Sequence, residues 1–256
     1  MTSTGRWAGR NTDKDALRAE VWDGLERSGY GMGPTWSHIP NFIGADQAAW
    51  HLAQTPEWKA ARVVKCNPDP PQIPVRLRAL YEGKMLYAPV PYLTRDFPYL
   101  RIDPQRIAAK GVSFELAATS EGYLMHGDRI GFEEVEPLDF CVVGSVGVGR
   151  SGGRTGKGAG FADLETGIFR ALGKIGPATV LATTVHSTQI VDNARVVMQP
   201  HDSPLDYIAT EAELIVTQNR DPRPAGVDWS AVREDQYESI PFLRALRDRM
   251  LATGAR

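Results

Sequence analysis

Residues 140–163 read FCVVGSVGVGRSGGRTGKGAGFAD, and the fold turns on how they are parsed. The apolar run from Phe140 to Val143 gives way to a glycine-rich stretch, which leads into a segment predicted as a helix over 163–172. A buried strand, a glycine loop and a helix in that order build a sheet covered on both faces. Glycines let backbone N–H groups converge on an anion, and the helix N-terminus adds positive potential. Arg150, Arg154 and Lys157 add formal charge, so the stretch reads as a phosphate cradle. The alternative is a surface loop whose glycines serve only turns; it leaves the three cations and the strand-to-helix placement unexplained.

Better-known glycine signatures do not fit. Gly147 to Gly152 satisfies GxGxxG, but more glycines follow where a dinucleotide fold would start its helix. The Walker A pattern fails because Ser151 stands at its first glycine and Gly158 follows Lys157. Gly144-Ser145-Val146-Gly147 misses the nucleophile elbow by one position.

Outside this stretch, short apolar strands alternate with helices. Helices are expected over 12–27, with Leu17, Val21 and Leu25 repeating and Thr12 or Asp13 as cap, and over 45–54 and 73–81. Strands are expected over 62–66, 84–88 and 179–185. This alternation predicts an α/β fold with a mostly parallel sheet flanked by helices. No linker divides the chain, so one domain over 1–256 is expected. From about residue 212 it is less regular, with a strand over 213–217 and a last helix using Leu243, Leu246 and Met250.

The 256 residues carry 29 Lys+Arg against 31 Asp+Glu and are 42% hydrophobic, which excludes disordered and collagen-like chains. A pI near 6.2 argues against nucleic acid or another polyanion as partner, so any anion site must be local. Cys66 and Cys141 sit alone in apolar runs and read as buried reduced thiols. Neither a signal-peptide core nor an apolar run of about eighteen residues is present, and the expectation is a cytoplasmic protein without membrane contact.

Two further constellations could carry chemistry. His186, Gln189, Pro200-His201-Asp202, Asp206 and Thr210-Glu211 follow the 179–185 strand, on the side where ligands of open α/β sheets bind. Asp163 and Asp202 are candidate ligands for Mg2+ against nucleotide phosphates, although His201-Asp202 also suits a turn. The segment from Lys65 to Pro74 presents Asn67, Asp69 and Gln72 in a proline-stiffened loop, either to a heterocyclic ligand or as a rigid helix entry.

Taken together, these residues resemble the 5-formyltetrahydrofolate cyclo-ligase family, also called methenyltetrahydrofolate synthetase, and within it the branch of methenyltetrahydrofolate synthetase domain-containing proteins. The resemblance rests on Lys14 and Arg18 one helical turn apart, Gly83-Lys84 followed by Pro89, the segment from Arg154 to Asp163, and the series from Gln189 to Glu211. Five positions depart from the family pattern. Asp69 and Gln72 stand where the family has Glu and Thr, Phe161-Ala162 where it has Tyr-Tyr, and Gly144 where a proline is usual.

The resemblance implies a NagB/RpiA/CoA-transferase-like fold and an ATP- and Mg2+-dependent ligase. In that reaction ATP phosphorylates the formyl oxygen of 5-formyltetrahydrofolate and N10 closes the ring to 5,10-methenyltetrahydrofolate. It assigns Lys14, Arg18, Arg154 and Lys157 to phosphates, with Arg154 and Lys157 as the catalytic cations, and Gly156, Gly158 and Gly160 to backbone cradling. Asp163 or Asp202 takes the metal, and Asn67, Asp69, Gln72 and Phe161 meet the small-molecule substrate. Two alternatives remain open: a ligase or dehydrating cyclase of the same fold acting on another amide or carboxylate, and a folate- or nucleotide-binding regulator without turnover.

Overall fold

A computed structural model describes residues 6–219 and 221–254; both ends of the expected 1–256 domain and Arg220 lie outside the described residues. Helices α1 (Thr12–Ser28), α2 (Ala45–Ala53) and α3 (Pro56–Ala60) precede strand β1 (Val63–Cys66). Then come α4 (Ile73–Tyr81), β2 (Met85–Pro89), β3 (Tyr99–Ile102), α5 (Pro104–Ala109), α6 (Phe114–Ala117), α7 (Ser120–His126) and β4 (Asp128–Ile130). The glycine-rich region spans β5 (Phe140–Val142), β6 (Gly147–Gly149), β7 (Arg154–Thr155) and the start of α8 (Phe161–Ala171). The chain continues through β8 (Val180–Thr184), β9 (Ile190–Val191), β10 (Tyr207–Ala209), β11 (Leu214–Val216), α9 (Glu234–Ser239) and α10 (Leu243–Thr253).

The main sheet has eight strands in the order β11-β10-β8-β5-β1-β2-β3-β4. Its five middle strands, β10 to β2, run parallel, and both edges are antiparallel. Val64 pairs with Leu86 on one side and with Phe140 on the other. Parallel strands are buried on both faces, which is why Val63–Cys66, Phe140–Val142 and Val180–Thr184 are apolar almost throughout. Successive side chains alternate between two cores. Val64 and Cys66 join Leu52, Trp58 and Leu80 beneath α2 to α4. Cys141 and Leu181 join Ile168, Phe169, Leu243, Leu246 and Met250 beneath α8 and α10.

Strand order reverses between β1 and β5: the chain leaves β1 toward β2 in one direction and β5 toward β8 in the other. A crevice opens outside the carboxyl ends of strands at such a switch point, and it is the usual place for a ligand in an open α/β sheet. Residues 67–69 after β1 and Gly144 after β5 flank it.

The glycine stretch differs from a simple strand-to-helix loop. β6 and β7 form an antiparallel hairpin, and β6 also pairs with β9 in a separate three-stranded sheet. Only residues 156–160 act as the loop entering α8. The segment after residue 211 is also more regular than its sequence suggested: Ile240, Leu243, Leu246 and Met250 are at most 2% exposed. No helix among the described residues is long and apolar enough to cross a membrane.

Candidate functional site

Helix α1 starts where the Asn11 side chain, rather than Thr12 or Asp13, accepts the Lys14 N–H, and it ends at Gly29 in the left-handed region (φ 73°). Its buried face carries Leu17, Val21 and Leu25 and also Lys14 and Arg18, which the helical period directs inward together. Both cations line a cavity of about 280 Å³ at the switch point.

Of the residues expected from sequence, Lys14, Arg18, Arg154, Lys157, Asp163 and Asp202 line this cavity. So do Asn67, Asp69, Gly156, Gly158, Gly160 and Phe161. Gly160 precedes α8 with φ 76° and offers no side-chain cap, so the first-turn N–H groups lie at the cavity wall with Phe161 and Asp163. That is an anion-favouring helix end. Gly144 permits a second close approach, because a Cβ there would stand 3.0 Å from Asp69 Oδ2.

Each of the four inner cations already has an acid. Lys14 pairs with Asp202, Arg18 with Asp15 at 2.6 Å, Arg154 with Asp163 at 2.9 Å and Lys157 with Asp69 at 3.0 Å. Unpaired charges at this depth would be costly, and the pairs hold the cations in place without a ligand. Burial pushes the Arg18 guanidinium down, and Asp15 opposes that shift. At the cavity mouth, burial followed by the charges of Arg233 and Arg6 pushes Arg10 down.

Two expectations are corrected. Gln72 is fully buried and does not line the cavity; a 3-10 turn over Pro70–Gln72 rotates it inward, where Nε2 donates to Thr184 Oγ1 at 3.3 Å. Arg150 lies on the exposed tip of the β6–β7 hairpin, pairs with Glu213, and takes no part in the cavity wall. Within the late series only His201-Asp202 reaches the cavity. Gln189 donates to the carbonyls of Ser145 and Val146, Glu211 accepts from the Ser187 N–H, and Asp206 accepts from the Leu181 N–H. These residues brace the loops behind the site.

Other parts of the cavity had no sequence expectation. Tyr92 and Leu93 take left-handed backbone (φ 58° and 54°), rare for bulky residues and a sign that the surroundings enforce it. This strain places the Tyr92 ring 4.7 Å from Lys157 Nζ and edge-on to Phe161. The segment from Gly226 to Gln236 supplies one wall, with Gln236 Nε2 donating to Ala159 O at 3.2 Å. Gly167 of α8 lets this wall cross closely, since a Cβ there would meet Gly226 O and Val227 Cα at 3.1 Å each.

Mg2+ takes one or two carboxylates and keeps most of its waters. Asp163 and Asp202 fit that demand in type and number, as hard oxygen donors that both line the cavity. Among the described residues no cluster of three or more His, Cys, Asp and Glu could hold a metal. Two carboxylates leave the remaining positions of such an ion to water or phosphate oxygens.

The chain is 37% identical over 243 residues to the methenyltetrahydrofolate synthase domain-containing protein of Mus musculus, covering 94% of this chain and 65% of that protein. The Homo sapiens protein of the same name is 34% identical over 243 residues, covering 94% and 63%. The chain thus spans less than two thirds of the length of these relatives. In structure it is similar to the 5,10-methenyltetrahydrofolate synthetase of Aquifex aeolicus, with a TM-score of 0.52 and 19% identity over 82% of this chain and 95% of that one. That likeness supports the fold. The sequence model of the 5-formyltetrahydrofolate cyclo-ligase family matches residues 10–211, a span that includes Lys14, Arg18, the loop after β1, the glycine loop and Asp202, and on this ground the chain belongs to that family.

Proposed function

We propose that the chain is an ATP-dependent ligase that activates a formyl carbonyl by phosphorylation, converting 5-formyltetrahydrofolate to 5,10-methenyltetrahydrofolate. The observation that carries this reading is the convergence of four cations from α1, β7 and the glycine loop on one cavity with the Asn67–Asp69 loop. An amide oxygen is a poor leaving group. Transfer of the γ-phosphoryl of ATP to the formyl oxygen releases ADP; N10 then attacks the activated carbon, and phosphate departs as the ring closes.

Catalysis of phosphoryl transfer is mainly positioning and charge stabilisation. Lys14 and Arg18 orient the phosphates, and Gly156, Gly158 and Gly160 let backbone N–H groups approach them. Arg154 and Lys157 stabilise the charge on the transferring group. Phosphate oxygens replace the carboxylates now paired with these cations, which frees Asp163 and Asp202 to hold Mg2+. When bound, that ion neutralises phosphate charge. Asp69 contacts the folate heterocycle, while the Tyr92 and Phe161 rings exclude water beside it.

The test is to incubate the protein with Mg-ATP and 5-formyltetrahydrofolate and follow the methenyl chromophore and ADP together. Equal formation of both supports the proposal. ATP hydrolysis without chromophore contradicts it.

A further inference from the structure

Lys65 sits in the middle of the main sheet, fully buried, on the face turned toward α8. An ammonium cannot stay there unpaired. Its partner is Glu165, whose Oε2 lies 2.6 Å away and also accepts from the Tyr99 hydroxyl at 2.8 Å. Burial first, and the Glu165 charge second, push the Tyr99 phenol well above its ordinary range, so it remains a donor. Lys65 also donates to Asn67 Oδ1.

Asn67 is held at its other polar atoms too. Its N–H donates to Val142 O at 3.0 Å, and its carbonyl accepts from Arg76. With Oδ1 turned to Lys65, the amide orientation is set and Nδ2 is the end left over. The bonds of the two side chains run through Asn67 Oδ1 and Glu165 Oε2, and neither Asn67 Nδ2 nor Glu165 Oε1 is a sealed, unpaired atom, which leaves these two ends to the cavity. Both residues line the cavity although they are only 7% and 3% exposed. One presents an amide donor and the other a carboxylate acceptor. A buried Lys–Glu pair adds little net stability over an apolar pair of similar volume. Its place at the cavity wall, with one atom of Glu165 unused, points to recognition.

We propose that Asn67 and Glu165 form a reading pair for a planar heterocycle carrying a hydrogen-bond acceptor beside an N–H donor, with Lys65 and Tyr99 as positioning residues. The inference rests on the reading of the cavity as a folate and nucleotide site. A lactam edge, C=O beside N–H, has this pattern, and so does the adenine edge with its ring nitrogen beside an amino group. Buried polar partners of this kind discriminate strongly, because a ligand lacking the matching group leaves them unpaired.

The test compares wild type with Asn67→Ala and with the double variant Lys65→Met, Glu165→Leu, which removes both buried charges together. Calorimetric titrations use 5-formyltetrahydrofolate without nucleotide and a non-hydrolysable ATP analogue without folate, with thermal melts alongside. Both variants are expected to lose about tenfold or more affinity for one ligand, the same in each, while the other ligand stays within about threefold. Selective loss of folate identifies the lactam edge, and selective loss of the nucleotide the adenine edge. The second double variant, Lys65→Met, Glu165→Gln, restores an acceptor and is expected to regain most of the lost affinity. Unchanged affinity for both ligands, or equal loss for both with a lowered melting temperature, overturns the pair. If the double variants do not fold, Asn67→Ala alone decides by the same criterion. Wild-type protein that binds neither ligand overturns the functional reading itself, whereas loss confined to the variants does not touch it.

Discussion

Lys157 Nζ lies 3.0 Å from Asp69 Oδ1, joining the glycine loop before α8 to the loop after β1, two segments 88 positions apart in the chain. Both side chains are largely buried, and the Tyr92 ring covers the ammonium at 4.7 Å. The pair thus ties the proposed phosphate end of the cavity to the proposed folate end.

Replacing Lys157 by Ala removes that junction. ADP release under saturating Mg-ATP and 5-formyltetrahydrofolate is expected to fall about a hundredfold or more, the scale of losing one preorganised charge at a transition state. Circular dichroism should show native secondary structure. Turnover close to wild type contradicts the assignment of Lys157.

The wall over residues 226–236 stands on the core beneath α10. Leu246→Ala removes a side chain 1% exposed and is expected to cost about 2–5 kcal/mol in urea unfolding. Because the wall lines the cavity, the KM for substrate should rise in the same variant. Stability loss with an unchanged KM would separate the wall from the site.

His186 stacks on Tyr30 with ring centroids 4.3 Å apart, and its Nε2 lies 3.6 Å from Glu211. Burial pushes its pKa below the ordinary 6.5, and the nearby Glu211 charge only partly opposes this. The unfolded chain therefore binds more protons than the folded one between the depressed value and about 6.5. The contribution is full above about pH 6.5 and is lost as the pH falls through the folded value. Urea midpoints measured from pH 7.5 down to pH 5 should fall, and His186→Gln should flatten that decline; an identical slope in both proteins contradicts this.

Burial raises the thiol pKa of Cys66 to about 11 and that of Cys141 to about 12. Only the thiolate is nucleophilic, so neither should react in the native state. At pH 8 an aromatic disulfide reagent is expected to label no thiol in native protein and both in urea. Rapid native labelling would contradict the burial of both.

How much of this was legible in the sequence depends on the residue. Strands β1, β5 and β8 declare themselves because both faces are buried, so their runs carry no charged residue except Lys65. That exception was itself a signal: a lysine in a buried strand requires an acid, and Glu165 is the one it meets. Lys14, Arg18, Asp69, Lys157 and Asp202 were legible as a constellation although folding alone brings them together. The β6–β7 hairpin was hidden because β6 is Gly-Val-Gly and β7 is only two residues long, and with it the outward turn of Arg150. Helices α5 to α7 are four to seven residues long, too short to show a period. The 226–236 wall carries no local pattern, since its position is set by distant contacts with Ala159 and Gly167.

In the proposed reaction this cavity couples ATP cleavage to ring closure of a formyl folate. That coupling is tested most directly by a single reaction of pure protein with Mg-ATP and 5-formyltetrahydrofolate, in which the methenyl chromophore and ADP are measured on the same samples over time. One ADP formed per methenyl product, with neither formed when either substrate is omitted, is the predicted result. ADP without chromophore, or chromophore without ATP, contradicts it.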